Sequence, residues 1–145
     1  MVRIAFLLVA GLCGCTAKEP SSAPGIFTVA VAGEQILVGR SRTYGSSGTF
    51  ELRTLSEPAM ECHGRFRYSA PPTGTASFDC SNGERGTLRI RAEGNYVGSG
   101  EGASSFGRVR ALFGYSLWEV NNRLMPAGKK LVTSGDRLEL VDVPE

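Results

Sequence analysis

Cys62 and Cys80 carry the most distinctive chemistry in this chain. They lie in the stretch from Ala59 to Ala92, AMECHGRFRYSAPPTGTASFDCSNGERGTLRIRA. Two thiols can form a disulfide or bind a metal. A metal site is poorly supplied, because His63 is the only histidine and no C-x-x-C occurs. A disulfide fits the pattern. Met60, Cys62, Gly64, Phe66 and Tyr68 share one parity, and Glu61, His63, Arg65 and Arg67 share the other. That is the period of a half-buried strand. Ala76, Phe78 and Cys80 alternate in the same way with Thr75, Ser77 and Asp79. Both cysteines fall on the inward parity, so joining them would fix the register of a hairpin. Closing that loop contributes ~3 kcal/mol in the chain-entropy account.

The second chemical resource is arginine, with 13 Arg against 3 Lys. Arg65 and Arg67, Arg89 and Arg91, and Arg108 and Arg110 form three i, i+2 pairs on outward parities. A guanidinium grips phosphate or carboxylate through two parallel hydrogen bonds. If the three strands are neighbours, the six groups share one sheet face. Such a face suits an anionic ligand, such as a phosphate-bearing lipid or an acidic glycan. The plainer alternative is a solvated face with cross-strand pairs to Glu61, Asp79 and Glu93.

Catalysis finds little support. His63 is outward and alone, so no Ser-His-Asp arrangement can be assembled, and neither G-x-S-x-G nor S-x-x-K occurs. Sequence alone does not bring acids such as Glu51 and Glu61 together. The expectation is a non-catalytic protein without metal or cofactor. The net charge of +2 argues against a nucleic-acid partner.

The amino end sets the compartment. Met1-Val2-Arg3 is a short positive start, and Ile4–Leu12 is an apolar run too short to span a bilayer, which takes about 20 residues. It has the size of a secretory signal core. The following Leu12-Cys13-Gly14-Cys15 resembles the bacterial lipobox, in which an aliphatic residue stands at −3 and a small one at −1. The lipidated cysteine comes next and becomes the new amino terminus. Four cysteines taken alone suggest two disulfides. The lipobox likeness implies instead that Cys13 leaves with residues 1–14, that Cys15 is lipidated, and that Cys62 and Cys80 remain as a pair in an oxidising compartment. Residues 15–25 then form a polar, proline-containing tether, and residues 26–145 a single β domain. The chain's 145 residues suit one domain.

The elements that position these groups are mostly strands. Ile26–Ala32 and Gln35–Gly39 form a hairpin over Gly33-Glu34. Ser41–Gly48 reads as a loop by composition, and Thr49–Leu55 as a strand. Asn82-Gly83 marks a tight turn before the strand of Leu88 and Ile90. Gly94–Gly107 is rich in glycine; Gly98, Gly100 and Gly102 line one side of an extended segment, which suits a close strand crossing or a barrel corner. Ser116-Leu117-Trp118-Glu119 is a capping-box pattern, so one short helix is expected near residues 117–124, with Trp118 packed in the core. Lys130–Thr133 and Arg137–Val141 form a last hairpin. The expected fold is all-β, a small antiparallel sandwich or partly closed barrel with that one helix.

Cys62-x-Gly64, Cys80-x-Asn82-Gly83-x-x-Gly86, the glycine-spaced segment and Phe113-Gly114-Tyr115-Ser116 together resemble a group of small β-rich bacterial lipoproteins. The likeness implies an envelope setting and no particular chemistry. Small lipid-anchored barrels that inhibit lysozyme are similar in size and in having a disulfide. Their inhibitory loop is loosely similar to Gly98-Ser99-Gly100-Glu101-Gly102, with Glu101 where a basic residue stands. The combined expectation is a structural or interaction-mediating envelope lipoprotein, with a periplasmic inhibitor or anionic-ligand module as the alternative. It meets the membrane through its lipid, and its other partners would be envelope proteins or an anionic glycolipid. Thr16 after the lipidated cysteine resembles the sorting pattern of the outer rather than the inner membrane.

Overall fold

The computed structural model describes residues 25–144. Eight antiparallel strands follow one another as a meander and close into a barrel. They are β1 (Ile26–Ala32), β2 (Gln35–Tyr44), β3 (Ser47–Thr54), β4 (Glu61–Ala70), β5 (Thr73–Cys80), β6 (Arg85–Gly94), β7 (Val97–Ser104) and β8 (Gly107–Phe113). β8 returns to β1 with Thr28 opposite Phe113 and Ala32 opposite Val109. The expected all-β fold is thus a barrel, and its closure is complete. Helix α1 (Leu117–Arg123) and the hairpin β9 (Lys129–Ser134) and β10 (Arg137–Asp142) lie outside it.

Strand parity sorts the chain into an interior and an exterior. Inside lie Ala30, Leu37, Phe50, Leu52, Phe78, Leu88, Ile90 and Val109, together with both cysteines. Much of the outer wall is polar, with Glu61, His63, Arg65 and Arg67 exposed along β4. A membrane-spanning barrel has the opposite arrangement. Cys62 and Cys80 stand opposite each other across β4 and β5 and are joined as a disulfide.

Inward glycines let large rings fit. Phe50 faces Gly64, Phe78 faces Gly86, Phe66 faces Gly48 and Phe113 faces Gly98 across neighbouring strands. A methyl group added at any of these four glycines would overlap the ring opposite. The glycine-rich segment is therefore mainly strand β7, with Gly98 and Gly100 buried in the wall. The glycines serve close side-chain packing there.

A second apolar patch lies on the outside of β1, β2 and β8, formed by Val29, Ile36, Val38 and Leu112. Val120 and Leu124 from the helical segment and Leu131 from β9 cover it. The capping box is present as read: the Ser116 hydroxyl accepts from the Glu119 N–H, and the Glu119 carboxylate accepts from the Ser116 N–H. Asn121 then joins the helix to the hairpin, donating to the Leu131 carbonyl at 2.8 Å and accepting from its N–H at 2.7 Å. Residues 25–144 thus supply both the barrel and the cover over its outer apolar patch.

Two readings need correction. Ser41–Gly48 is mostly strand, with only a tight turn at Gly45-Ser46. Its serines and threonines suggested a loop, but Ser41 faces inward and shares a 2.6 Å hydrogen bond with Thr28 across β1 and β2. Trp118 does not pack in the core: it is 73% exposed, because the helix turns Val120 inward instead.

Candidate functional site

The barrel is not filled. Its interior holds a cavity of about 440 Å³, within the usual size range of small-molecule sites, about 300–1,000 Å³. Eight strands make a lumen that side chains can just fill or that can hold one small ligand. Which outcome applies depends on side-chain volume. Here many of the inward positions of β1, β2 and β7 carry small residues: Ala30, Ala32, Gly39, Ser41, Gly98 and Gly100. Their small volume leaves the space lined by Phe50, Leu88 and Ile90 unfilled.

The cavity has a floor and a mouth. Met60, Phe106 and the Cys62–Cys80 bridge line it at the end where β1 turns into β2. Thr43, Tyr68, Asn95 and Tyr96 line it at the other end, where Asn95 and Tyr96 are exposed. The lining is predominantly aliphatic and aromatic. Its few polar groups are Thr28 and Ser41, which satisfy each other, and the group near the mouth. Tyr68 packs edge-on against Phe66 with ring centroids 5.9 Å apart. Burial pushes its phenol above the ordinary tyrosine range. A neutral hydroxyl near the mouth can donate to, or accept from, the polar end of a guest.

Tyr96 has a φ of 59°, the only non-glycine residue with positive φ among those described. Large side chains seldom adopt that backbone form, and it is often found at binding sites. Gly114 rests against the Tyr96 carbonyl, where a β-carbon would overlap it. The segment between β8 and α1 therefore meets the mouth. Nearby, Glu93 accepts from the Tyr115 hydroxyl and from Ser99 and pairs with Arg123 at 3.6 Å. The Tyr115 hydrogen bond, followed by Ser99 and Arg123, holds the Glu93 carboxyl below its usual range. Arg123 also lies over the Tyr115 ring, 4.3 Å from its centroid.

The six arginines do not share one face. Their strands are not neighbours: β5 separates β4 from β6, and β7 separates β6 from β8. Arg108 pairs with Glu101 at 3.4 Å, and Arg110 donates to the Leu124 carbonyl at 3.1 Å. Arg65, Arg67, Arg89 and Arg91 are exposed and make no ion pair with another described residue. Arg67, Thr75 and Arg89 form one row across β4, β5 and β6. Of the acids expected to neutralise these groups, Asp79 pairs with Arg85 and Glu93 with Arg123.

His63 is outward, as parity predicts, and lies 3.9 Å from Glu51. No group of three His, Cys, Asp or Glu residues converges on a metal-sized site among the described residues. Because Gly98-Ser99-Gly100-Glu101-Gly102 lies within β7, it offers no projecting inhibitory loop. Cys15 and the tether up to residue 24 lie outside the described residues. No family model, curated protein or solved structure matches the chain.

The lumen itself escaped the sequence reading, as did Tyr96 and Arg42 near its mouth. The inward parities carried the missing signal. They could be read strand by strand, but their summed volume has meaning only once the number of strands in the wall is known.

Proposed function

We propose that this chain is a non-catalytic binding module of the bacterial envelope that holds the apolar part of a small amphiphile in its barrel lumen. The observation that carries this reading is the 440 Å³ cavity, lined mainly by apolar side chains, with hydroxyl and amide groups confined largely to the mouth. An apolar guest gains about 25 cal/mol for each Å² of surface withdrawn from water. The lipobox-like Leu12-Cys13-Gly14-Cys15 supports lipidation at Cys15 and an envelope location, with the outer membrane favoured over the inner by Thr16.

The test is titration with a long-chain fatty acid and with a fluorescent naphthalene-sulfonate probe. One-to-one uptake is expected, with the fatty acid displacing the probe. Ala111→Phe should reduce uptake by at least about tenfold, the weight of 1.4 kcal/mol, because it fills part of the lumen. Uptake that survives this substitution, or no uptake by the parent chain, refutes the reading.

A further inference from the structure

Charge on the barrel wall is sorted along its axis. Towards the floor, arginines meet acids: Arg53 lies 3.9 Å from Glu57, Arg85 lies 2.9 Å from Asp79, and Arg108 lies 3.4 Å from Glu101. Towards the mouth, Arg42 on β2, Arg67 on β4 and Arg91 on β6 are exposed and make no ion pair with another described residue. Each lies two or three residues before its strand ends at the mouth. The acids nearest that end are already engaged, Glu93 by Tyr115, Ser99 and Arg123, and Glu119 by Ser116.

The exposed aromatic side chains gather at the same end. Tyr44, at the β2–β3 turn, is 50% exposed, and Tyr96, at the β6–β7 turn, is 69% exposed. Trp118, 73% exposed, sits in the first turn of α1, four residues after Gly114 brings the chain against Tyr96. Tyrosine and tryptophan favour the boundary between lipid and water, where a ring is buried and its polar tip stays wet.

The course of the chain gives a third, independent observation. β1 begins at Ile26, at the mouth end, so the preceding residues reach the barrel from that side. From Cys15 to Gly25 they can span at most about 35 Å. An anchor at Cys15 would therefore join the barrel at its mouth end and not at its floor.

We infer that the mouth rim docks on an anionic lipid surface, with Arg42, Arg67 and Arg91 at the headgroup phosphates and Tyr44, Tyr96 and Trp118 in the interface. This goes beyond the lumen reading and does not require a guest. Vesicle binding and probe uptake are separate measurements, so either can fail without the other.

Trp118 is the only tryptophan and reports its own surroundings. A fragment starting at Gly25 keeps both the barrel and its outer cover. It should bind vesicles containing phosphatidylglycerol, shift its emission to the blue, and be quenched by lipids brominated near the headgroup. At about fivefold per arginine, the variant R42Q/R67Q/R91Q should bind these vesicles about a hundredfold more weakly. Removing three paired arginines near the floor, as R53Q/R85Q/R108Q, should leave binding within about threefold, since exposed pairs matter little. The full chain gives a second measurement: once attached to the same vesicles, its Trp118 should be quenched as well. Equal binding by the two triple variants overturns the inference. So does a vesicle-bound full chain whose Trp118 stays in water, an outcome that would instead leave the rim free for a soluble envelope protein.

Discussion

The ring of Phe50 lies across Gly64, its partner on the adjacent strand. This contact explains why a glycine stands on the inward parity of β4 between Cys62 and Phe66. Gly64→Ala should destabilise the protein by about 1–3 kcal/mol, the usual cost of forcing an extra group into a packed core. Urea unfolding followed by circular dichroism would measure it. A neutral result would mean that the ring can move into the lumen at no cost.

The outer cover should be as sensitive as the lumen wall. Leu131 is fully buried between the hairpin and the barrel, so Leu131→Ala should cost about 2–5 kcal/mol. Asn121→Ala should cost less, about 1–3 kcal/mol, by leaving the Leu131 N–H and carbonyl without their side-chain partner. Thermal unfolding of both variants would show whether the tail is integral to the fold.

Replacing both Cys62 and Cys80 by alanine should lower stability by ~3 kcal/mol, through the freedom returned to the unfolded chain. The barrel should still close, because the bridge joins strands that are already hydrogen-bonded neighbours. Denaturant midpoints with and without reductant would give the difference. Loss of all structure would mean that the bridge sets the register by itself.

Glu93 predicts an acid transition at the mouth. Its carboxyl is held low by Tyr115, Ser99 and Arg123. For a group depressed in the folded state, the stabilisation is present above the unfolded value, about 4.3. It is lost as pH falls through the lower folded value. Acid should therefore loosen the attachment of α1, and Trp118 emission should report it. In Glu93→Gln that step should be absent.

Strand parity and the disulfide were legible in the sequence because each is a local pattern. The inward side of β4, β5, β6 and β8, the cross-strand cysteines and the Ser116–Glu119 cap all follow from residues near one another in the chain. Ser41 was misread because its partner, Thr28, lies on another strand, and composition cannot show a hydroxyl that finds a mate across the sheet. Trp118 was misread because size and apolar neighbours favour burial, whereas the face a two-turn helix turns inward is set by what lies beneath it. The arginines were read correctly as outward. Their separation into paired and unpaired sets depends on strand order, which parity does not encode.

Closing β8 onto β1 also leaves the barrel with no bare edge. Open edges invite other chains to add a strand, the usual route to fibres and runaway association. Two copies of this barrel cannot merge their walls without first breaking a ladder. Among the described residues, the hydrogen-bonding groups still able to recruit another strand belong to the small hairpin β9–β10. Crowding on a surface should thus leave the barrels side by side as separate units.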